Sequence, residues 1–549
     1  MTPRNKLLLL QLLVVIPVCA FLFFYGLGAF GLVGADEPRY AQIGREMLAR
    51  HDWVVPTLNG QPWLEKPVLL YWGEMAAYSA FGVHDWAARI PSATFAAGFV
   101  IAIFFFMRRF RPGSELDAAL ITASCVAMIG FGRGASTDMQ LSAPFCAAML
   151  AWWASYETGR KLWLGWFYAL LAVAALAKGP VSPGLAILIV AGYGWLRHDG
   201  KIFLRSLWLP GFAIFFAIVL PWYVAIEIKV PQFFRVFFLQ HNLERFGTNL
   251  YQHSQPFWFY IPVFLVAVLP WTFFTLPALW QALRSAWMVI RSRHEGTAGG
   301  QPAQDGLLLF LLLWGLVPIV FFSISRSKLP GYILPAIPAA TLLTAAYLRG
   351  LRQAERIQLV LHSLICGAIL GGALLAPWLM LKVHLTQEVW TSFAAVTAMA
   401  ASAVLLLVRY RGLRVLHFIT LVPLVLGLVF LLRFAVIPQR DDNPVHGSVI
   451  DLTQSARPVD RALRTLGANS GPIAIFSVRH QRELEYGLNF YRNQAIDLYG
   501  RDPIPEGAHV VIAQQGDIDA VQASVGVRKI TSIGIFPPQR LQFFRVSKQ

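Results

Sequence analysis

Apolar runs of about twenty residues recur along most of this chain, and their spacing decides what it can fold into. In a bilayer each run is one helix across a hydrocarbon core of about 30 Å, with every backbone hydrogen bond made internally. About thirteen runs are long enough to span. The first covers roughly Leu7 to Val33, and the others lie near 89–108, 116–131, 138–157, 162–178, 180–197, 204–226, 257–281, 307–324, 332–350, 357–382, 389–408 and 414–437. Residues are 56% hydrophobic and only 14% charged, which excludes a water-soluble globule. The chain reads as a polytopic α-helical membrane protein. Arg4 and Lys6 precede the first run, which is too long for a signal-peptide core and lacks a convincing small-residue cleavage site, so it reads as a retained span.

A net charge of +17 would suggest nucleic acid in a soluble protein. Here Lys and Arg gather in short loops between spans, so membrane orientation accounts for much of the charge and no nucleic-acid partner is expected. The run from Pro67 to Gly82 is short and interrupted by Glu74, and counting it as a span would put Arg108, Arg109 and Arg111 on the wrong side. It is assigned to a helix lying in the interface or re-entering. The basic clusters at Arg108–Arg111, Arg160–Lys161, Arg197–Arg205, Arg284–Arg293, Arg349–Arg356 and Arg409–Arg414 then all face the cytoplasm. The outer side receives loops 34–88, 132–137, 178–180, 227–256, 325–331 and 383–388, together with the C-terminus.

The chain divides into a membrane part, 1–437, and a polar tail, 438–549. In the tail, short apolar runs at Ile473–Phe476, Val510–Ile512 and Leu541–Phe544 alternate with helix-like stretches near His480–Arg492 and Asp517–Val525, which predicts a small α/β domain. It carries no glycine-rich phosphate loop and no metal-ligand cluster. Cys19, Cys125, Cys146 and Cys366 lie inside apolar runs and read as packing residues.

Nearly all the residues suited to chemistry fall on the outer loops. Gly34-Ala35-Asp36-Glu37-Pro38-Arg39-Tyr40 places two acids and a base at the mouth of the first span. Helix capping by Asp36, with Pro38 behind it, is the plain alternative. An amphipathic helix follows, with Tyr40, Ile43, Met47 and Leu48 set against Arg39, Arg45, Glu46 and Arg50, suited to lying on the membrane surface. Glu65-Lys66 is an ion-pair candidate just before apolar sequence, or else a surface pair of little worth. Asp138 opens a span with no other acid before Glu157, and an acid there is a functional candidate beside the simpler reading of a cap at Thr137 or Asp138. His241 and His253 are twelve apart without a carboxylate at ligand spacing, so no local zinc motif is supported, although distant loops could still assemble a site from Glu65 and His253. Ser325-Arg326-Ser327-Lys328-Leu329-Pro330-Gly331-Tyr332 brings two cations and a phenol to an outer edge, a set suited to phosphate. Carboxylates (Asp36, Asp138) and cations (Lys66, Arg245, Lys328) beside lipid-embedded spans are what a lipid-linked phosphate substrate needs.

These residues carry a resemblance. Asp36-Glu37-Pro38-Arg39-Tyr40-Ala41, Glu65-Lys66-Pro67 with Arg89-Ile90-Pro91-Ser92, Ala177-Lys178-Gly179-Pro180, Glu244-Arg245-Phe246 with His253, Pro256 and Trp258-Phe259-Tyr260, and Lys328-Leu329-Pro330 with Tyr332 appear in order. In this the chain resembles the membrane glycosyltransferases that use polyprenyl-phosphate sugars, a class that includes the protein O-mannosyltransferases. The aminoarabinose transferases, which move 4-amino-4-deoxy-L-arabinose from undecaprenyl phosphate to lipid A phosphates, are the nearest match within it. The resemblance runs from about residue 7 to 440. It implies thirteen spans with juxtamembrane helices in the first outer loop, and an active site and C-terminal domain on the periplasmic face of the bacterial inner membrane. It implies that Asp36 and Asp138 flank the reaction centre, supported by Glu37, Arg39 and Tyr40. Donor phosphate would be held by Lys66, Arg245, Lys328 and Tyr332, and a divalent metal, zinc, by Glu65 and His253.

The acceptor decides what Asp36 does. A hydroxyl must lose a proton and needs a base. A lipid A phosphate is already an anion, so Asp36 would orient groups or stabilise positive charge at the anomeric carbon and the sugar amine. With no separate covalent nucleophile evident, either displacement inverts the anomeric centre. A transporter or lipid-phosphate flippase is the reading from another class. Against it stand the lack of an internal repeat and the gathering of charge on one face.

Overall fold

The computed structural model describes residues 3–237, 255–294, 303–351, 355–381, 413–433, 449–469 and 471–548. Each predicted span other than 389–408 coincides with helix over most of its described residues, the first stopping short of Val33, and 389–408 lies outside the described residues. Among the described residues eight helices are long and apolar enough to cross a membrane, or nine if a pair bent by 65° is counted as one. The chain is a multi-pass membrane protein, and all four cysteines are buried and free.

Helix α1 (Pro3–Cys19) runs into a π turn, Ala20–Phe24, and helix ends there rather than at Val33. Residues 25–33 turn away because they are built to be packed against: a Cβ on Gly31 would collide with Ser455 Oγ and Tyr491 Oη of the C-terminal domain. Helices α2 (Asp36–Ala49) and α3 (Leu69–Phe81) form the first outer loop, joined by a hairpin of β1 (Thr57–Leu58) and β2 (Gln61–Pro62). Asn59 and Gly60 turn it with φ of 53° and 74°, the backbone such a tight hairpin requires. As predicted, α2 is amphipathic, with Tyr40, Ile43 and Met47 buried.

Helix α4 (Asp85–Phe110) leads to the bent pair α5 (Glu115–Ser124) and α6 (Val126–Gly132). The bend has an identifiable cause. Ser124 Oγ donates to the Leu120 carbonyl, Cys125 is extended, and the Val126 N–H donates to Leu269 O at 2.9 Å instead of within the helix. Helix α7 (Thr137–Thr158) carries polar residues at Gln140 and Ser142 because it is buried among other helices rather than in lipid. It packs on α8 (Lys161–Lys178). Two ion pairs mark the ends of this bundle: Arg111 with Glu157 at one (3.0 Å), Lys178 with Asp138 at the other (2.5 Å). The basic end and the end bearing the candidate site are therefore separate, as the charge pattern predicts.

The tail folds as expected around a five-stranded sheet ordered β4-β3-β5-β7-β6, with β3 (Ile473–Phe476), β4 (Asp497–Leu498), β5 (His509–Gln514), β6 (Ile530–Phe536) and β7 (Leu541–Val546). Strand β3 is parallel to β4 and β5, and β7 is antiparallel to β5 and β6. The domain is fastened to the first outer loop. Arg457 bridges Asp451 and Asp85, each at 2.8 Å, Asp451 accepts from Gly31 N (2.7 Å) and Tyr491 Oη accepts from Leu32 N (2.8 Å).

Glu74, the acid that interrupts the Pro67–Gly82 run, is fully buried on α3 beneath Gly44, and neither carboxyl oxygen meets a partner among the described residues. Burial, and then the charge of Glu37, hold its pKa well above the ordinary 4.5. The folded chain thus keeps a proton that the unfolded chain releases, so this group's contribution is greatest below the ordinary value and declines as pH rises toward the folded one. Glu74→Gln should raise the thermal unfolding midpoint in detergent at pH 8 and leave it nearly unchanged at pH 4.

Candidate active site

Asp36 opens α2 but does not cap it. The cap position is Ala35, without a side-chain bond, and Asp36 Oδ1 instead accepts from Arg39 Nη2 at 2.6 Å. The Asp36 side chain is 60% exposed, whereas that of Arg39 is 13% exposed. The Arg39 guanidinium lies 5.1 Å from the ring of Tyr40, 5.0 Å from that of Trp63 and 5.5 Å from that of Tyr486. Tyr486 comes from the C-terminal domain, a contact absent from the sequence reading. Burial alone would lower the Arg39 pKa, but Tyr40, Asp36 and Glu65 outweigh it and keep the group cationic. Burial, then Asp36, raises the Tyr40 phenol, which stays neutral. An accessible carboxylate is thus held from behind by a fixed cation.

Glu37 does more than support Asp36. Its Oε1 accepts from Arg89 Nε (3.1 Å) and Ala135 N (2.8 Å), and its Oε2 accepts from Arg89 Nη2 (2.7 Å) and Val33 N (2.8 Å). The remaining Arg89 N–H groups donate to the carbonyls of Leu27, Phe30 and Gly31 at 2.7–2.8 Å. This buried fork binds three segments together: the turn after the first span, the start of α2, and the loop before α7. Asp36 and Asp138 are consequently carried by neighbouring helix starts.

Asp138 is likewise no cap. Helix α7 starts at Thr137 with Ser136 at the cap position, no side-chain cap bond is made, and the Asp138 carboxylate pairs with Lys178 at the end of α8. Each charge also complements its helix end, an acid near an N-terminus and a base near a C-terminus. The Lys178 ammonium sits 5.7 Å from the Tyr332 ring centroid. A Cβ on Gly331 would come 2.7 Å from Asp138 Oδ1, so the 325–332 loop reaches the acid only because glycine stands there. Lys328 is buried and donates to Ser325 O at 2.5 Å, and Leu329 O accepts from the Tyr260 hydroxyl at 3.2 Å. The loop bearing the predicted phosphate ligands is therefore fixed against Asp138, with Lys178 as the cation nearest the acid.

Glu65 and Lys66 are half-buried at the entry to α3, and the Glu65 charge bears on Arg39, Tyr40 and Tyr71. Its charge thus reaches a cation and two phenols, which form no metal ligand set. Among the described residues no three of His, Cys, Asp and Glu group to hold a metal ion. Arg245 and His253 lie outside the described residues.

Arg89 and Lys178 stand in the motifs that carry the resemblance, but the sequence reading gave neither a place in the site. The signal was present for Lys178, a cation on the outer side where positive-inside bias predicts few. Arg89 gave less warning, standing at the edge of an apolar run. Lys178→Met should lower transfer about tenfold to a hundredfold through the lost charge-assisted contact, with folded yield preserved. Unchanged kinetics would remove Lys178 from the site.

The model of the family described as dolichyl-phosphate-mannose-protein mannosyltransferase matches residues 8–237, the segment holding Asp36, Glu37, Arg89, Asp138 and Lys178. The undecaprenyl phosphate-α-4-amino-4-deoxy-L-arabinose arabinosyl transferase of Pseudomonas paraeruginosa is 34% identical over 383 residues, covering 68% of this chain and 65% of that protein. Its namesake in Serratia proteamaculans is 34% identical over 376 residues, covering 65% of this chain and 63% of that protein. The chain thus matches just under two thirds of these relatives' length. Crystal structures of ArnT from Cupriavidus metallidurans share the fold across 99% of this chain and 98% of theirs. The TM-score is 0.72 at 21% identity for the form bound to undecaprenyl phosphate and 0.74 at 22% for the apo state. Over residues 8–237 the chain thus matches the dolichyl-phosphate-mannose-protein mannosyltransferase family model, and over about two thirds of its length it is similar to the undecaprenyl-phosphate aminoarabinose transferases.

Proposed function

We propose that the chain transfers 4-amino-4-deoxy-L-arabinose from undecaprenyl phosphate to a phosphate of lipid A, with inversion, at the periplasmic face of the bacterial inner membrane. The observation that carries this reading is the placement of the exposed Asp36 carboxylate and of Asp138 on neighbouring helix starts, with Lys178 at the end of α8 paired to Asp138. A phosphate oxygen of lipid A attacks the anomeric carbon as the bond from that carbon to the donor phosphate oxygen breaks. Undecaprenyl phosphate leaves with the bonding pair. Charge is conserved between two phosphates, so the nucleophile needs no base. Asp36, anchored by Arg39, faces positive charge developing at the anomeric carbon and the amine of the sugar. Lys178, with Lys66 and Lys328, offsets charge on the leaving phosphate, a role Arg245, outside the described residues, would share.

The match to the mannosyltransferase family supports a second reading, in which a hydroxyl is the acceptor and Asp36 takes its proton. One experiment separates them: mass spectrometry of lipid A from a Gram-negative strain lacking its own aminoarabinose transferase and supplied with this chain. A pentosamine added to lipid A is the expected result. Unmodified lipid A, with the protein present in the membrane, would overturn the donor and acceptor assignment. Product formation by purified protein in detergent excludes a flippase, which needs two compartments.

A further inference from the structure

The C-terminal domain holds a cleft of about 370 Å³ that the transfer chemistry above does not use. Its position follows from the sheet. From β3 the chain goes by the helix Gln481–Arg492 to β4 on one side, and from β5 it goes by Ile518–Val525 to β6 on the other. Outside the carboxyl ends of two parallel strands whose connections diverge, the backbone cannot close over, and a crevice is left there for a ligand. The cleft lies at that point, lined by Val478, Arg479 and His480 after β3 and by Gln514 at the end of β5.

Its wall is built rather than accidental. The Gln539 amide donates to the carbonyls of Leu452 and Ser455 at 3.0 and 2.8 Å, tying the β6–β7 turn to the segment that enters the domain. Gln514 donates to Arg540 O at 2.7 Å, fixing the other side of that turn. Arg479 and Arg540 line the cleft, and Glu483 is the acid among its lining residues, 3.5 Å from His480. Two arginines against one acid suit a phosphate monoester better than a polyanion or a neutral sugar.

The cleft also adjoins the active site. Glu483 lines it, and three residues further along the same helix Tyr486 packs on Arg39, the cation that holds Asp36. Residues three apart share a helix face and are separated by about 4.5 Å of rise. Ser455, at the other margin, pairs with Val33 of the first outer loop.

We propose that this cleft binds the phosphorylated sugar headgroup of the lipid acceptor, with Arg479 and Arg540 taking the phosphate and Thr453, Gln454 and Gln514 taking sugar hydroxyls. The proposal rests on the acceptor named under Proposed function and deepens it: the soluble domain holds the remote part of the acceptor while the first outer loop carries out the transfer. Contacts that hold the acceptor equally in the bound state and in the transition state lower its KM without raising kcat.

The test uses the full chain in detergent and the double variant Arg479→Gln/Arg540→Gln. Both side chains are exposed, and neither belongs to the transfer site. Glucosamine 1-phosphate, titrated by calorimetry, should bind the native chain at about millimolar concentration, more tightly than inorganic phosphate, and about tenfold more weakly to the variant. In transfer assays the variant should raise the acceptor KM about tenfold while kcat and the donor KM stay within about twofold. Equal binding of glucosamine 1-phosphate to both chains would overturn the site. Weakened probe binding with an unchanged acceptor KM would overturn the lipid as its source and leave a site for a free sugar phosphate. Inorganic phosphate binding as tightly as the sugar phosphate would overturn the sugar part. Because the titration needs no turnover, a chain that binds the probe through these arginines yet leaves lipid A unmodified would sink the functional reading while sparing the cleft.

Discussion

Asp36→Asn should leave lipid A unmodified in the complementation assay and lower kcat of the purified protein by about 10²- to 10⁴-fold, the range for losing a correctly placed acid or base. The same variant should fold as well as the native chain. Asp36 is 60% exposed and, among the described residues, makes one side-chain hydrogen bond, to Arg39, and exposed ion pairs contribute at most about 1 kcal/mol. Arg39 stays cationic between three aromatic rings without it, so its geometry survives the change. Asn preserves shape and hydrogen-bonding reach and removes only the charge. The split between lost turnover and retained stability is what distinguishes a reacting carboxylate from a helix-start residue. Transfer within about tenfold of native would displace Asp36 from the centre of the reaction, and a matching loss of folded protein would show that its role is structural.

The opposite split is expected at Arg89→Met. Arg89 is 1% exposed and donates to Glu37 and to three carbonyls of the turn after the first span. Removing it strands the Glu37 carboxylate in a buried position, and breaking a buried pair from one side costs about 3–5 kcal/mol. Thermal unfolding in detergent should therefore fall sharply, and transfer should be lost with it, because Asp36 and Asp138 are set relative to one another through this fork. Adding Glu37→Gln to Arg89→Met removes the stranded charge and should recover part of the stability but little of the transfer, since the Ala135 and Val33 N–H groups would then share one acceptor. A single Arg89 variant that melts like the native protein would mean that the fork is incidental.

The sequence made some of this architecture readable and concealed the rest for physical reasons. Length and apolarity suffice to find spans, because a helix facing lipid has to be apolar on most sides. The amphipathic α2 carried a helical periodicity, the strands at 473–476, 510–512 and 541–544 short apolar runs, and both formed where expected. Strand β6 was missed because Thr531, Ser532 and Gly534 occupy it, and an edge strand half in water needs no apolar pattern. At the site, the acids announced themselves by rarity, since a charge at a membrane boundary is costly. Their partners did not. Arg89 lies 52 residues from Glu37 and Lys178 lies 40 from Asp138, separations no local pattern reports. Capping, the plain reading of both Asp36 and Asp138, failed because each lies past the cap position, within the first helical turn, where its side chain pairs with a cation in reach. Tyr486, more than four hundred residues from Arg39, could only be seen in the folded chain.

The fastening of the soluble domain has a consequence for how this protein can be recombined. Gly31, Leu32 and Asp85 meet Asp451, Arg457 and Tyr491 of the C-terminal domain through one ion pair and two backbone N–H bonds, and no side chain larger than hydrogen fits at Gly31. The two parts are therefore not interchangeable cassettes. A chimera that imports a foreign C-terminal domain onto this membrane core inherits one half of a lock. It should assemble only when the short stretch after the first span and the residue at position 85 are imported with it, so lineages of this family should exchange these segments together or not at all.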